Sequence, residues 1–326
     1  MKTITRIFSV MCCAAAVAGF GASALAQSAA NFPDKPIRFI VPYPPGGASD
    51  VTARVLGQKM TEIWGQPVVV ENRPGANGNI ASEFVARAPA DGYTILMGNV
   101  GPNAISASMY KLSYDVVKSF APVTQTTTVP IVLVVNNSLP VKNVKDLISY
   151  AKTNKLTFAS AGNGSSNHLT GELLKSMAGI DIMHVPYKGD GPAMNDVIGG
   201  QVSMMFATLP AALPHIKSGK VRPIGMATAK PSAVLPDVKP IADSGVPGFD
   251  SSSWGGILAP AGTPKEIIAK LHEGTVKILK MPDVEQKMQA LGADIVASTP
   301  EQFGEYIKSE TSKWAKVVKE SGATVN

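Results

Sequence analysis

Two short stretches hold the residues best suited to chemistry. VPYPPGGASD, from Val41, sets Tyr43, Gly46, Gly47, Ser49 and Asp50 close together. GNGSSNH, from Gly162, sets Gly164, Ser165, Ser166 and Asn167 beside His168. Serine with histidine suggests acyl transfer, and glycine loops suggest a cradle for an anion. An α/β serine hydrolase needs G-x-S-x-G at a strained elbow, and GSSNH lacks the second glycine. His168 also lies so close to both serines that a local helix cap suits it better than a base. A phosphate loop needs a lysine that does not follow Gly47. The dinucleotide fingerprint fails because Asn167 occupies its third glycine position. His168, His184, His215 and His272 show no metal-ligand spacing, and no pair of carboxylates stands out as acid and base. No catalytic residue, cofactor or metal is expected. The remaining chemistry is anion holding by backbone N–H groups at a helix start.

Those loops need strands before them and helices after them. Ile37 to Val41 is mostly apolar and ends in prolines, so it reads as a strand. Ser49 or Asp50 then caps a helix with Val51, Val55, Met60 and Ile63 at roughly helical spacing. The phrase recurs at YTILMGNVGPNAI (a helix expected from Asn103), LTFASAGNGSSNHLTGELLKSMAG, IDIMHVPYKGDGPAMNDVIGG and VSMMFATLPAALPHI. Tyr187 marks the bend of the third of these, and Thr208 follows the strand of the last. Strands alternating with helices predict parallel α/β sheets, whose ligands sit beyond the carboxyl ends of the strands. The run IVLVV, Ile131 to Val135, reads as one buried strand. Three helices are expected near Pro264, Pro282 and Pro300. The last carries the apolar stripe Phe303, Ile307, Trp314, Val317 and Val318.

Lys2 and Arg6, a small-residue apolar run and Ala24-Leu25-Ala26 form a secretory signal over residues 1–26. The mature chain is expected to begin at Gln27, in a bacterial periplasm. Both cysteines, Cys12 and Cys13, lie in the signal, so the exported chain has neither disulfide nor thiolate. Removing two cations takes the formal charge from +6 to +4. The basic residues are scattered without interleaved aromatics, which argues against a nucleic-acid groove. About 300 remaining residues call for two domains.

VPYPPGGASD, VENRPGANGNIA, ASAGNGSSNHLTGEL, VPYKGDGPAMNDVIGGQV, LAPAGTP and TPEQFGEYI together resemble the tripartite tricarboxylate transporter receptors, often called the Bug family. The resemblance runs in order from about Phe32 to the C-terminus. It implies a two-domain periplasmic binding protein of α/β class, a type II-like Venus flytrap hinged on two crossover strands. It also implies a discontinuous first domain, residues 27–124 and 253–326, around a second over 125–252. The ligand would be a small organic acid, delivered by a monomer to a two-component membrane permease. A carboxylate would lie between Tyr43–Asp50 and Gly162–Asn167, with Tyr187 and Thr208 nearby. A sensor presenting its closed form to a membrane kinase, and a periplasmic serine hydrolase, are the competing readings. Family members often carry Asp-Asn where this chain has Ala207-Thr208, and Thr-His where it has Pro102-Asn103. With Ala207 unable to attract an ammonium group, a dicarboxylate or an aromatic carboxylate is favoured over an amino acid.

Overall fold

The computed structural model describes residues 31–325, so the secretory signal lies outside it. The chain alternates strands and helices, as the repeated phrase requires. Strand β1 (Ile37–Val41) leads to α1 (Ala48–Trp64), β2 (Val68–Asn72), α2 (Asn79–Ala86) and β3 (Thr94–Asn99). A π-helical turn over Gly101–Ile105 and the short α3 (Ser106–Met109) stand where a longer helix was expected. The second series is α4 (Val144–Ala151), β5 (Leu156–Ser160), α5 (Ser166–Ala178), β6 (Ile182–Pro186), α6 (Asp190–Ile198), β7 (Met204–Thr208), α7 (Leu209–Lys217) and β8 (Val221–Met226). Between the two series runs β4 (Phe120–Asn136). After them come β9 (Ser252–Pro260), α8 (Lys265–Leu279), α9 (Pro282–Ala290), β10 (Asp294–Ile295) and α10 (Pro300–Ser321).

Sheet pairing divides the chain into two lobes. In the first, β1 pairs in parallel with β2 and β3, and β9 joins antiparallel between β3 and β4. In the second, β5 pairs in parallel with β6 and β7, while β7 and β8 flank β4 antiparallel. The run Ile131–Val135 is thus the far half of a 17-residue strand that serves both lobes. Its partner changes after Pro130, which pairs with Ser252 of β9; Ile131 pairs with Thr208 of β7. The polar stretch Thr124–Thr127 is buried because β9 covers one edge of β4 and β10 the other.

Each lobe has apolar clusters on its sheet. In α1 the fully buried face is Ala53, Leu56 and Met60, with Val55 and Ile63 packed at its margin. In α10, Phe303, Ile307, Trp314 and Val317 bury against Leu258, Val100 and Ile105 of the first lobe and Leu169 of the second. Helix α10 starts with a capping box: Thr299 accepts from the Gln302 N–H while the Gln302 side chain accepts from Thr299 N–H. Helices beginning at Lys265, Pro282 and Pro300 match the three proline signals.

Candidate functional site

The strands β1, β5, β6 and β7 deliver their following loops to one cleft between the lobes, a cavity of about 430 Å³, and β3 contributes Met97 and Asn99 from its own end. From the first lobe, Tyr43, Gly46, Gly47 and Ser49 line it. Gly46 has φ +90°, a left-handed conformation that glycine adopts freely. The α1 N-terminus follows directly, and the N–H groups of a helix's first turn have no intrahelical acceptor. They give this wall a partial positive charge.

Asp50 does not reach the cleft. Its carboxylate turns back, accepting from Gly46 N–H at 2.9 Å, Arg54 Nε at 3.0 Å and Asn72 Nδ2 at 2.9 Å. Burial works against its charge. Those donors, with Arg54 first, outweigh burial and hold the carboxyl below the ordinary carboxylate range. Asp50 thereby shapes the proline–glycine loop and spares a bound anion its repulsion.

From the second lobe, Ser165, Ser166, Asn167 and Thr208 line the cleft. Ser165 is the N-cap of α5: its Oγ accepts from His168 N–H and donates to Gly162 O at 2.7 Å. Asn167 Nδ2 donates to Phe206 O at 2.6 Å and to Asp190 Oδ1 at 3.1 Å. Thr208 Oγ1 donates to Asp190 Oδ2 at 3.0 Å. Ala207, by contrast, is fully buried in the core of its lobe, so its identity says nothing about an ammonium group.

Tyr187 and Gly164 stand behind the wall. Tyr187 donates its hydroxyl to Asp196 at 2.6 Å. Gly164 forms a contact between the lobes: its carbonyl accepts from Asn77 Nδ2 at 2.7 Å, and the neighbouring Asn163 carbonyl accepts from the Tyr110 hydroxyl at 2.9 Å. The structure therefore has the lobes latched together over the cleft.

Several residues in or beside the cleft lie outside the sequence expectations. Asp190, at the first turn of α6, is visible in VPYKGDGPAM as an acid at a helix start. Thr127 lines the cleft from the hinge strand with its hydroxyl buried and without a partner. Asn99 joins Tyr43, whose hydroxyl it accepts at 3.2 Å. Asn77 and Tyr110 lie in irregular segments whose partners are far away in sequence.

His168 does not act on the serines. Its Nδ1 accepts from Gly164 N–H at 3.1 Å, fixing the loop from beneath. Its ring stacks on His184 with centroids 3.9 Å apart, and Phe158 packs against His184 at 4.9 Å. Burial pushes both imidazoles down, His168 to about 3 and His184 to about 4; His184 and Lys175 add to the effect on His168, and Lys175 to that on His184. The unfolded chain takes up protons below its ordinary histidine value of 6.5, while the native stack excludes them. Native stability therefore falls as pH drops from about 6.5 towards 4, by up to ~1.4 kcal/mol per pH unit for His168. Urea unfolding at pH 7 and pH 5 measures this. His168→Asn keeps an acceptor for Gly164 and should make the profile shallower, leaving the share of His184; an unchanged slope in that variant would assign the acid sensitivity elsewhere.

Two α/β lobes, a two-strand hinge and a cleft at the carboxyl ends of the strands define a bilobal solute-binding protein. The comparisons narrow the class. The model of the "Tripartite tricarboxylate transporter family receptor" matches residues 52–323. Protein BugT of Bordetella pertussis is 39% identical over 324 residues, covering 98% of each chain. MatC of Rhodopseudomonas palustris, solved with bound malate, superposes with a TM-score of 0.83 at 33% identity, over 88% of this chain and all of that one. An R. palustris protein solved with adipate gives 0.86 at 37% identity, over 90% and 99%. The periplasmic binding protein BugD gives 0.84 at 35%, over 90% and 99%. The chain belongs to the tripartite tricarboxylate transporter receptor family, the Bug proteins, whose members are periplasmic, and is a solute receptor rather than an enzyme. Among the described residues no helix is long and apolar enough to cross a membrane.

Proposed function

We propose that this protein captures a small carboxylic acid in the cleft between its lobes and hands it to a two-component membrane permease. The observation that carries the reading is the facing of two helix N-termini, α1 and α5, across a latched cavity sized for a small molecule. One carboxylate sits on the Gly46–Ser49 turn, where N–H groups, the Ser49 hydroxyl and bridging waters satisfy its oxygens. No arginine lines the cavity, so binding stays exchangeable. Ser165, Ser166, Asn167 and Thr208 complete the second wall, and Thr127 offers a hydroxyl from the hinge. Tyr187 and Asp50 act indirectly, by holding their loops. Adipate and malate in the two R. palustris relatives support a dicarboxylate. The protein acts as a monomer, its second domain entered and left through β4 and β9.

The test is a thermal-shift panel of succinate, malate, adipate, citrate, nicotinate, terephthalate, aspartate and glutamate, followed by calorimetry. The correct acid at about a hundred times its Kd should stabilise the protein by ~2.7 kcal/mol. Small-angle scattering should then show a smaller radius of gyration with ligand than without. Stabilisation by the amino acids alone would replace the proposed ligand class.

A further inference from the structure

We propose that Asp190 determines the specificity of the cleft by sharing one proton with the far carboxyl of a diacid, so that capture takes up a proton from solution. The proposal rests on the carboxylate reading above and names the second half of the ligand.

The two lobes each place an aspartate in the first turn of a helix at the cleft. Asp50 is turned inward and balanced by Arg54, with a contact of 2.9 Å. Asp190 is neither. Its two oxygens accept one hydrogen bond each, from the neutral donors Asn167 and Thr208, and it forms no ion pair among the described residues. The surface it retains opens into the cavity, which it lines. Each oxygen keeps a lone pair for a further donor.

The surroundings favour a proton there. On the second lobe, α5 presents Ser165, Ser166 and Asn167, and β7 presents Thr208, all uncharged. Tyr43 faces Asp190 from the first lobe, and burial first, then the aspartate's charge, opposes ionisation of that phenol. Tyr187 is engaged with Asp196, while Lys188 and His215 line the cavity without hydrogen-bonding Asp190. Burial raises the Asp190 carboxyl above its ordinary range, against the opposing effect of Thr208 and Asn167.

A diacid seated on the α1 turn brings its second carboxylate towards Asp190. Two carboxylates in contact cannot both stay ionised, and one proton is retained between them. The acid enters as a dianion, solvent supplies the proton, and the closed complex holds it between one Asp190 oxygen and one ligand oxygen. Opening returns both ligand and proton. A hydroxyl or ammonium donor on the ligand would instead engage ionised Asp190, with no proton taken up.

Adipate and malate are the probes, titrated calorimetrically into the full mature protein in phosphate and in Tris. Uptake of about one proton per ligand and an affinity falling about tenfold per pH unit between pH 6.5 and 8 are expected. Asp190→Asn, whose amide supplies the donor permanently, should bind the same acid with no proton uptake and no pH dependence, and more tightly than the parent at pH 8. Proton-free binding by the parent overturns the proposal, and so does proton uptake that survives in the variant. Binding of neither acid to the parent overturns the proposal, whereas the carboxylate reading falls only if the whole panel of carboxylic acids fails. The proton count on the parent needs no variant, so a misfolded substitution does not obscure the result.

Discussion

Gly164→Val should abolish tight ligand capture while leaving the protein folded. Gly164 has φ +77°, and a side chain in the left-handed region costs ~1–2 kcal/mol. The larger cost falls on the contact between the lobes. A Cβ there would stand 3.0 Å from Asn77 Nδ2, 3.2 Å from Tyr110 Cε2 and 3.4 Å from Met109 Sδ. All three belong to the first lobe, so the valine methyl groups penalise the latched arrangement far more than an opened one. The expected loss is at least about a hundredfold in affinity, ~2.8 kcal/mol. Calorimetry with the best acid of the panel measures it, and circular dichroism checks the fold. Gly164→Ala should cost less, because only the Cβ itself intrudes. Full affinity in the valine variant would show that the Asn77–Gly164 contact is not part of the bound state.

The largest stability effect is expected at Trp314. Its indole is fully buried and its Nε1 donates to Glu310 Oε2 at 3.0 Å. Trp254 Nε1 donates to the same oxygen at 3.3 Å, while Lys313 Nζ holds the other at 3.3 Å. Trp314→Ala removes a large core side chain and one donor to a buried carboxylate. The two losses together should cost ~3–5 kcal/mol. Glu310→Gln keeps the volume and one acceptor oxygen, and should cost only ~1–2 kcal/mol. Urea midpoints at neutral pH separate the two. Equal midpoints would mean that the indole contributes hydrogen bonding and little packing.

Local chemistry was the legible part of this sequence. Gly46, Gly47 and the Ser165 cap write their geometry into neighbouring residues, and so do the prolines that open the last three helices. Alternating strand and helix periods gave the α/β class. What depends on distant partners was hidden. Asp50 reads as a charge beside an anion site, yet Asn72 and Arg54 draw it inward. Tyr187 reads as a ligand group at a bend, yet the first turns of α6 bring Asp196 beneath it. The burial of the β4 threonines was hidden as well, because nothing local says that β9 and β10 will cover both edges. Asp190 carries no such local signal, because the absence of an ion pair to it among the described residues is a property of space.

The joint between the lobes is a pair of hydrogen-bonded strands rather than a free tether. β4 and β9 stay paired up to Pro130–Ser252, and their register slips twice, at Pro122/Thr124 and at Gln125/Thr127. Such irregularities bend and twist a ribbon locally. A rotation of one lobe on the other would therefore be spread along a short leaf of backbone whose pairing is irregular at the two slips. A leaf spring has a preferred angle and a restoring torque, whereas a slack cord has neither. In the capture and hand-over proposed above, that torque would make release a mechanical event as well as a chemical one. Thr127 stands both at the second slip and on the cleft wall, so the joint and the proposed ligand site share a residue.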